Sequence, residues 1–393
     1  MRPGAHRQPG WLRRYAADTW TPPFAQPLPS DAEHYAAMAP IGRIAWRRFR
    51  RMAWLAVRGQ RALERERIEP ADRRILWIHQ GMPQVGDSLM DLACRNLLRG
   101  REITLLTDPH LCPLYAHDDI ISRVTADAAG AARGEYDLAI VLGVSSHNLR
   151  AKLAHFRSLP FVSLHGYYTG PEFNRTLFGY YRLDQLLGGH AGQVEIESIA
   201  RPHMVAGAEA VAAVDALALP ARFIAIALGG VRGWRTYARW PEVVAALRAA
   251  GVAEPIVLLG AANGSEARDG VMAAACAGRL VDRVDRHTLP EVHEILRRGA
   301  LAVAADGGLL HVAHAAGTPT VSLFAERIDP SYRLTAADRS VALYHPREVS
   351  EIAPEEIAAA VQAAMNAAAT ASGACSPIAP AGKPRNGEPA ASR

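Results

Sequence analysis

The residues best suited to chemistry follow the apolar run Leu301–Ala305, where the chain reads Asp306-Gly307-Gly308-Leu309-Leu310-His311. The apolar run predicts a strand, and the glycines allow the backbone to turn closely into a helix that begins near Leu309. Backbone N–H groups at such a helix start can cradle a diphosphate, because the positive end of the helix dipole favours its charge. Asp306 can accept hydrogen bonds from sugar or ribose hydroxyls, and His311 can donate to a phosphate. The alternative is that both residues have only structural roles, with Asp306 as the N-cap of the helix and His311 as an interior residue whose hydrogen bonds are made within the protein.

A second candidate is Asp87, in the segment Gly81–Leu92 that follows another apolar run. Gly86-Asp87 stands where a helix is predicted to begin, so the carboxylate projects into the space beyond the strand. A carboxylate in that place can take the proton from an attacking hydroxyl. The alternative is that Asp87 caps the helix, and taken alone the residue fits that role better.

Two further loops follow apolar runs in the second half of the chain. The loop Gly229–Glu242 offers three arginines that suit a diphosphate leaving group through charge-assisted hydrogen bonds, namely Arg232, Arg235 and Arg239. A solvated surface loop is the alternative for any one of them. The segment Leu258–Arg268 ends a strand in small residues, and its Gly260 is predicted to border the nucleotide.

Two series of apolar runs supply the strands that must position these loops. The first series is Ile75–His79, Glu102–Thr107, Tyr136–Gly143 and Phe161–Gly166, and the second is Phe223–Gly230, Pro255–Ala261, Leu301–Gly308 and Pro319–Ala325. Helices are predicted between strands over Ser88–Leu98, Pro241–Ala250 and Pro290–Arg298. Apolar strands alternating with helices indicate an α/β fold with parallel sheets, in two Rossmann-like domains that face a cleft. Ligands of such sheets bind beyond the carboxyl ends of the strands, where the candidate loops lie.

The chain is expected to divide into four segments. Residues 1–70 comprise an irregular stretch to residue 40 and a basic amphipathic helix over residues 41–67. Residues 71–205 form the first domain, and residues 206–369 form the second, which ends in a helix over Ile357–Ala369. Residues 370–393 are rich in Ala, Pro and Gly, and are predicted to be a disordered tail.

The basic helix predicts a contact with an anionic surface. Its apolar stripe consists of Ile41, Ala45, Phe49, Met52 and Ala56, with arginines on the flanks. One interpretation is a helix lying peripherally on a membrane, with Trp46 and Trp54 near the headgroups. The other is a helix packed on its own domain, with solvated arginines.

Composition excludes several classes of protein. With 393 residues, 49% hydrophobic and 21% charged, the chain is typical of a soluble globular protein. The four cysteines are scattered, which argues against a disulfide framework or structural zinc and for a reducing compartment. Neither a signal peptide nor a membrane-spanning run is predicted, so the cytoplasm is the expected location. The net charge of +5 is concentrated near the N-terminus, but no nucleic-acid-binding module accompanies it, so nucleic acid is not an expected partner.

From about Ile75 to the mid-340s the sequence resembles the bacterial heptosyltransferases of glycosyltransferase family nine. The family's Asp-Thr-Gly-Leu-x-His motif stands here as Asp306–His311, and its Gly-x-Pro-x-Val-x-Leu-Phe motif as Gly317–Phe324. Its N-terminal Gly-Asp matches Gly86-Asp87, and its Trp-Pro matches Trp240-Pro241. These motifs occur in the family's order and spacing.

The resemblance implies a GT-B architecture, with the acceptor bound mainly by the first domain and the donor by the second. It implies that Asp87 is the catalytic base of an inverting transfer, in which Gly307, Gly308 and nearby arginines stabilise the leaving diphosphate without a metal or other cofactor. The expected donor is the nucleotide sugar ADP-heptose. The expected acceptor is lipopolysaccharide core or another anionic glycan or glycolipid of the cell envelope.

The sequence also departs from the family. Gly307 stands where the family has threonine or serine, Ala238 replaces a loop lysine, and Ala325 replaces a closing glycine. The first seventy residues have no counterpart in a compact heptosyltransferase. Two other functions therefore stay open: a nucleotide-sugar epimerase of the same fold, and a non-catalytic sugar-binding or scaffold protein.

Overall fold

The computed structural model describes residues 10–81, 84–145, 147–274 and 279–373, which form two parallel sheets with helices around them. The strands of the first sheet are β1 (Arg74–His79), β2 (Glu102–Thr107), β3 (Arg123–Thr125), β4 (Leu138–Val141) and β5 (Phe161–Ser163). They lie in the order β3-β2-β1-β4-β5, with Ile75 of β1 opposite Ile103 of β2 and Leu138 of β4. Their carboxyl ends therefore lie along one edge.

The second sheet repeats this plan. Its strands are β6 (Ile224–Ala227), β7 (Ile256–Leu259), β8 (Leu280–Asp282), β9 (Leu301–Ala305), β10 (Thr320–Ala325) and β11 (Ser340–His345). They lie in the order β11-β10-β9-β6-β7-β8, and every pairing is parallel. The strands β6, β7 and β10 are buried along their whole length, because helices cover both faces of the sheet.

All eight predicted strands are present, and three strands were not predicted. The unpredicted strands β3, β8 and β11 each lie at an edge of a sheet. Their side chains are exposed or half-buried, so they lack the continuous apolar pattern of the central strands. The predicted α/β class with two parallel sheets is confirmed.

The helices cover the sheets and lead into the cleft loops. In the first half they are α1 (Gly10–Ala17), α2 (Ala32–Met38), α3 (Ile41–Val57), α4 (Val85–Asp91), α5 (Cys112–Tyr115), α6 (Ala128–Ala131), α7 (Arg150–His155), α8 (Arg175–Leu186) and α9 (Gln193–Ile199). In the second half they are α10 (Ala208–Asp215), α11 (Trp240–Ala249), α12 (Ser265–Ala273), α13 (Leu289–Arg298), α14 (Gly308–Ala315) and α15 (Pro354–Gly373). The predicted helix Ser88–Leu98 is in fact α4 followed by a 3-10 helix over Ala93–Leu98.

The helix ends follow local sequence signals. Proline lies in the first turn of both α11 and α13, where a missing N–H costs nothing. Thr288 and Glu291 form a capping box at the start of α13. At the other end of the chain, α15 continues to Gly373, four residues into the predicted tail. The remainder of the predicted tail lies outside the described residues.

The segment 10–68, here called the N-terminal extension, is more ordered than its sequence predicts. Helices α1 and α2 occupy part of the stretch that was expected to be irregular, and residues 1–9 lie outside the described residues. Helix α3 is present as predicted but ends at Val57. Its buried side chains are Ile41, Ile44, Ala45 and Leu55, whereas Phe49 of the predicted stripe is 52% exposed.

The N-terminal extension is joined to the first sheet by hydrogen bonds. Phe161 of β5 donates its N–H to the Leu63 carbonyl at 2.9 Å, and Arg65 donates its N–H to the Phe161 carbonyl at 2.8 Å. The buried Lys152 Nζ donates to Gln60 Oε1 at 2.6 Å. The extension therefore forms part of the folded unit around the first sheet. Among the described residues no helix is both long and apolar enough to cross a bilayer.

Candidate active site

Loops from both sheets meet around a cavity of about 300 Å³, here called the central cavity. Gly86 and Asp87 follow β1, and Arg175 comes from the segment after β5. The opposite wall is formed by Val231–Arg235 after β6 and by Asp306–His311 after β9. The strand order of each sheet thus brings together loops that lie far apart in the sequence.

A second cavity of about 430 Å³ adjoins the central one and is formed mainly by loops of the second sheet. Gly229, Gly230, Gly260, Gly307 and Gly308 line it, so we call it the glycine-lined cavity. The two cavities share several lining residues, namely Gln84, Val231, Arg235, Asp306, Gly307 and Gly308. One elongated ligand can therefore occupy both.

Nine of the ten site residues predicted from the sequence line one or both cavities. Asp87, Arg232 and His311 line the central cavity, Gly260 and Leu309 line the glycine-lined cavity, and Arg235, Asp306, Gly307 and Gly308 line both. Arg239 lines neither. It lies at the start of α11 and pairs with Glu242 on the surface, so the prediction that it contacts the donor is not supported by its position.

The glycines differ in what requires them. A Cβ at Gly260 would lie 2.9 Å from the Leu228 carbonyl oxygen, so the packing of the protein itself demands glycine there. A Cβ at Gly307 would be 3.7 Å from the nearest atom, and one at Gly308 would be 3.6 Å from Val85. The protein leaves room beside both residues at the start of α14. Because these two glycines have no side chains, a ligand can approach the backbone N–H groups at the start of α14.

Asp306 holds two arginines at the cavity wall. Its side chain is buried, and Arg235 Nη1 donates to its Oδ2 at 2.9 Å, while Arg333 Nε lies 3.6 Å from its Oδ1. The N-cap of α14 is Gly307, so the alternative role of Asp306 as a helix cap is wrong. Since the carboxylate already binds guanidinium groups, its first role is to orient positive charge toward the cavity.

His311 lies one turn into α14 and is 2% exposed. Burial lowers its pKa well below the ordinary value, and His314, Arg333 and Arg235 lower it further, so the ring is neutral at physiological pH. Its Nδ1 has no hydrogen-bond partner among the described residues, and its Nε2 lies 3.9 Å from Asp306 Oδ1. The alternative interpretation, in which His311 is an interior residue with all its hydrogen bonds made, is therefore not supported.

Asp87 projects into the central cavity from the first turn of α4. The helix is preceded by Gln84 as its N-cap, so Asp87 is not the cap. Its side chain is 30% exposed, and Arg175 Nε lies 3.6 Å from its Oδ1. Burial raises the pKa of Asp87, and the opposing attraction of Arg175 does not cancel that effect. A carboxylate with a raised pKa and access to a cavity is suited to accept a proton.

A buried group behind Asp87 was not predicted from the sequence. Asp91, four residues along α4, accepts hydrogen bonds from Arg175 Nη1 at both oxygens, each at 3.0 Å. His79 and His165 each place Nε2 3.7 Å from Asp91. Burial by itself raises the pKa of Asp91, but Arg175 and the two histidines outweigh it, so the pKa is lowered and the group stays ionised. The sequence signal that could have identified Asp91 is its spacing of four residues from Asp87, which places the two carboxylates on one face of a helix.

The two walls of the cleft touch each other directly. Arg333 pairs with Glu172 at 2.9 Å, and Asn174 Nδ2 donates to the carbonyls of Ser331 and Leu334 at 2.8 and 2.9 Å. A Cβ at Gly86 would lie only 2.5 Å from Cδ2 of His311, so α4 and α14 are in close contact. The structure therefore holds the candidate base and the glycine pair on facing walls of one cleft.

Two parallel sheets whose strand-end loops meet across a cleft define the GT-B architecture of glycosyltransferases. Solved structures with this fold include a Veillonella parvula glycosyl transferase family 9 protein, with a TM-score of 0.63, 15% identity, and coverage of 77% of this chain and 99% of its own. The E. coli ADP-heptose lipopolysaccharide heptosyltransferase II has a TM-score of 0.57 at 16% identity, over 75% of this chain and 99% of its own. The E. coli heptosyltransferase WaaC with ADP has a TM-score of 0.55 at 16% identity, over 74% and 99%.

The family model of glycosyltransferase family 9 (heptosyltransferase) matches residues 205–350. The second sheet and its cleft loops therefore lie within the region that matches this family model. No curated protein matches the sequence significantly. The solved relatives are covered almost completely, yet about a quarter of this chain has no counterpart in them.

Proposed function

We propose that this protein is an inverting glycosyltransferase that transfers a sugar from a nucleoside diphosphate to an acceptor hydroxyl. One observation carries the proposal: Asp87, with its raised pKa, faces the Gly307-Gly308 start of α14 across a single cavity. A base and a diphosphate-binding helix start are the two groups that direct displacement at an anomeric carbon needs.

The donor occupies the glycine-lined cavity and extends into the central cavity. Its diphosphate lies at the start of α14, where backbone N–H groups and the helix dipole favour negative charge. Arg235 lines both cavities and is held by Asp306, so it is placed to pair with the phosphates. Arg232 lines the central cavity and adds a second positive charge. The reaction requires no metal, because these groups stabilise the leaving diphosphate.

Asp87 removes the proton from the acceptor hydroxyl as that oxygen attacks the anomeric carbon. The bond between sugar and diphosphate breaks on the opposite side, so the configuration inverts. Arg175 lies beside Asp87 and is anchored by Asp91, which fixes the direction of the carboxylate. The closed cleft excludes water that would otherwise hydrolyse the donor.

ADP-heptose is the proposed donor, since two solved relatives are named as heptosyltransferases and one of them was solved with ADP. The proposed acceptor is an anionic glycan or glycolipid of the cell envelope, such as lipopolysaccharide core, and the proposed place of reaction is the inner face of the cytoplasmic membrane. Calorimetric titration with ADP-heptose, ADP, UDP and UDP-sugars tests the donor. Preference for a UDP-sugar would retain the transferase and reject the heptose.

The variant Asp87→Asn tests the chemistry. We expect the transfer rate to fall about 10²- to 10⁴-fold, because a general base contributes that much, while ADP-heptose binding is retained. Unchanged transfer by Asp87→Asn would overturn the proposed mechanism. Conversion of the donor sugar without any acceptor would indicate an epimerase, and binding without turnover in the wild type would indicate a sugar-binding protein.

We further propose that α3 contacts an anionic membrane surface. Trp46 and Phe49 are 58% and 52% exposed, and their rings stack with centroids 5.5 Å apart beside the exposed Arg47 and Arg50. Trp54, which was expected at the headgroups, is instead half-buried against the cluster under the first sheet. An exposed aromatic pair flanked by arginines is suited to the interface of an anionic bilayer.

Sedimentation with vesicles tests this contact on the full chain, because removing the extension would break its hydrogen bonds to β5. We expect the wild type to sediment with phosphatidylglycerol vesicles and a Trp46→Ser, Phe49→Ser double variant to stay in solution. Trp11→Ser is the matched control, since Trp11 is 62% exposed on α1 rather than on α3. Equal sedimentation of all three proteins would reject the role of the pair.

A further inference from the structure

A third cavity, of about 180 Å³, continues from the central cavity on the side of the first sheet. Arg175 lines both, so the third cavity begins beside the candidate base. It shares no lining residue with the glycine-lined cavity. The three cavities therefore follow one another along the cleft, with the central cavity between the other two. If the donor fills the glycine-lined and central cavities, the third cavity receives the acceptor.

The groups around this third cavity are hydrogen-bond donors and positive charges. Arg51 reaches it from α3, and Ser145 and Asn148 reach it from the loop after β4. No carboxylate is present among the described residues that line it. His165 also lines it, and burial lowers the pKa of this histidine to about 4, so the ring adds no charge at neutral pH. Such a lining favours an anionic group over a neutral sugar.

Arg51 differs from the other buried or half-buried arginines of the central and third cavities because it has no anionic partner. Arg175 is bound by Asp91, Arg333 by Glu172, and Arg48 of α3 by Asp18 and the Tyr15 carbonyl. Arg51 is half-buried, and the described residues give it neither a hydrogen bond nor an ion pair. Burial and the neighbouring Arg47 lower its pKa, which shows an unfavourable environment for an uncompensated charge. An anion in the cavity would compensate it.

The N-terminal extension builds the wall that carries Arg51. Backbone hydrogen bonds hold it against the cleft, since Thr169 donates to the Thr19 carbonyl at 3.0 Å and Asp31 donates to the Glu172 carbonyl at 2.9 Å. Beyond Arg51 a larger cavity of about 590 Å³ lies between the extension and the end of β5, and shares His165, Gly166 and Tyr168 with the third cavity. This larger cavity carries both acidic and basic side chains, so it provides room for the remainder of a polar glycan.

We propose that the N-terminal extension completes the acceptor site, and that Arg51 binds a phosphate or carboxylate group of the acceptor glycan. The inference rests on the proposed transferase function, because that function assigns the glycine-lined cavity to the donor. It goes beyond that function in naming the segment of this chain that selects the anionic acceptor and the residue that binds its charged group.

The test is calorimetric titration of the full chain, with ADP present, using glucose 6-phosphate, glucuronate and glucose as probes. We expect binding of the phosphate or the carboxylate probe and no binding of glucose, and the stronger of the two acidic probes identifies the anion. Arg51→Ala and Arg51→Gln should weaken that binding by about tenfold or more, which is the loss of one charge-assisted contact. Arg50→Ala is the matched control, since Arg50 is exposed on the same helix and lines neither cavity.

Equal binding of the acidic probes by the Arg51 and Arg50 variants would overturn the assignment, and so would glucose binding as well as its acidic derivatives. The Arg51→Gln variant keeps most of the apolar stem, so a loss of affinity in both Arg51 variants with unchanged melting temperatures excludes misfolding. ADP binding is measured separately for each protein. Failure of the wild type to bind ADP would contradict the proposed function, whereas failure of Arg51 to matter would leave it intact.

Discussion

Replacing Gly86 with alanine tests whether close packing of α4 on α14 sets the geometry for transfer. The added Cβ would lie 2.5 Å from Cδ2 of His311, whereas ordinary contact begins near 3.4 Å, so this contact must open by about 1 Å. Because the His311 ring is buried and has little room to turn, we expect the two helices to separate. That separation moves Asp87 away from Gly307 and Gly308. Because a misplacement of about 1 Å can cost on the order of 100-fold in rate, we expect kcat to fall by that factor. ADP affinity should not change, since the groups proposed to bind ADP belong to the second sheet.

The assay is ADP release from ADP-heptose with acceptor, together with calorimetric ADP binding and a thermal melt. Alanine is favoured over glycine inside a helix by about 0.5–1 kcal/mol, whereas overpacking costs about 1–3 kcal/mol, so the melting temperature should fall only modestly. Gly270→Ala is the matched control, because its Cβ would meet only Pro241 Cγ at 3.6 Å. A wild-type kcat in Gly86→Ala would refute the reasoning. A parallel loss of ADP binding would show that the donor site, rather than the spacing of the two helices, had been disturbed.

Three further outcomes follow from the site. Because burial raises the pKa of Asp87 in the ligand-free protein, the acid limb of kcat/KM should lie above the ordinary aspartate value of 3.8. A limb at or below that value in a profile of kcat/KM against pH would contradict this. Asp91→Asn removes the carboxylate that accepts both hydrogen bonds from Arg175 and leaves only the more distant Asp87 beside it, so chemical denaturation should show a loss of up to about 3–5 kcal/mol. Since the pKa of Asp91 is lowered, its contribution exists above the ordinary aspartate pKa and disappears on acidification, and the variant should lack that acid dependence. Arg235→Ala should raise KM for the donor, whereas Arg239→Ala should leave it unchanged, because that surface ion pair faces neither cavity; equal effects in steady-state kinetics would contradict the distinction.

The glycine-lined side of the cleft could be predicted because its signals are local. Strand β9, the glycine pair and α14 follow one another within fifteen residues, so composition and spacing specify the turn without information from the rest of the chain. The same holds for Gly86-Asp87 at the start of α4. In both cases the apolar run fixes the strand, and the strand fixes where the next loop opens.

The groups that surround Asp87 could not be predicted because they depend on long-range packing. Arg175 starts α8 after an irregular loop, and Arg333 follows a 3-10 turn, so no periodic pattern distinguishes them from surface arginines. Arg239 shows the opposite error. It shares a loop with Arg235, but it lies at the start of α11 and pairs with a glutamate on that helix. Only the folded structure of the loop shows that Arg235 lines the cavities and that Arg239 does not.

The position of Arg235 also explains how the chain can differ from the family at Ala238. Ala238 lines neither cavity, and its N–H donates to Ser350 Oγ at 3.0 Å on the far side of the loop. Arg235 lines both cavities and is held there by Asp306, so under the proposed function it supplies this cation instead. Arginine at this position is pre-oriented by a buried carboxylate, whereas a lysine would carry its charge on a freely rotating stem. The loss of the loop lysine therefore argues for a rearranged phosphate contact rather than for a site that has lost its function.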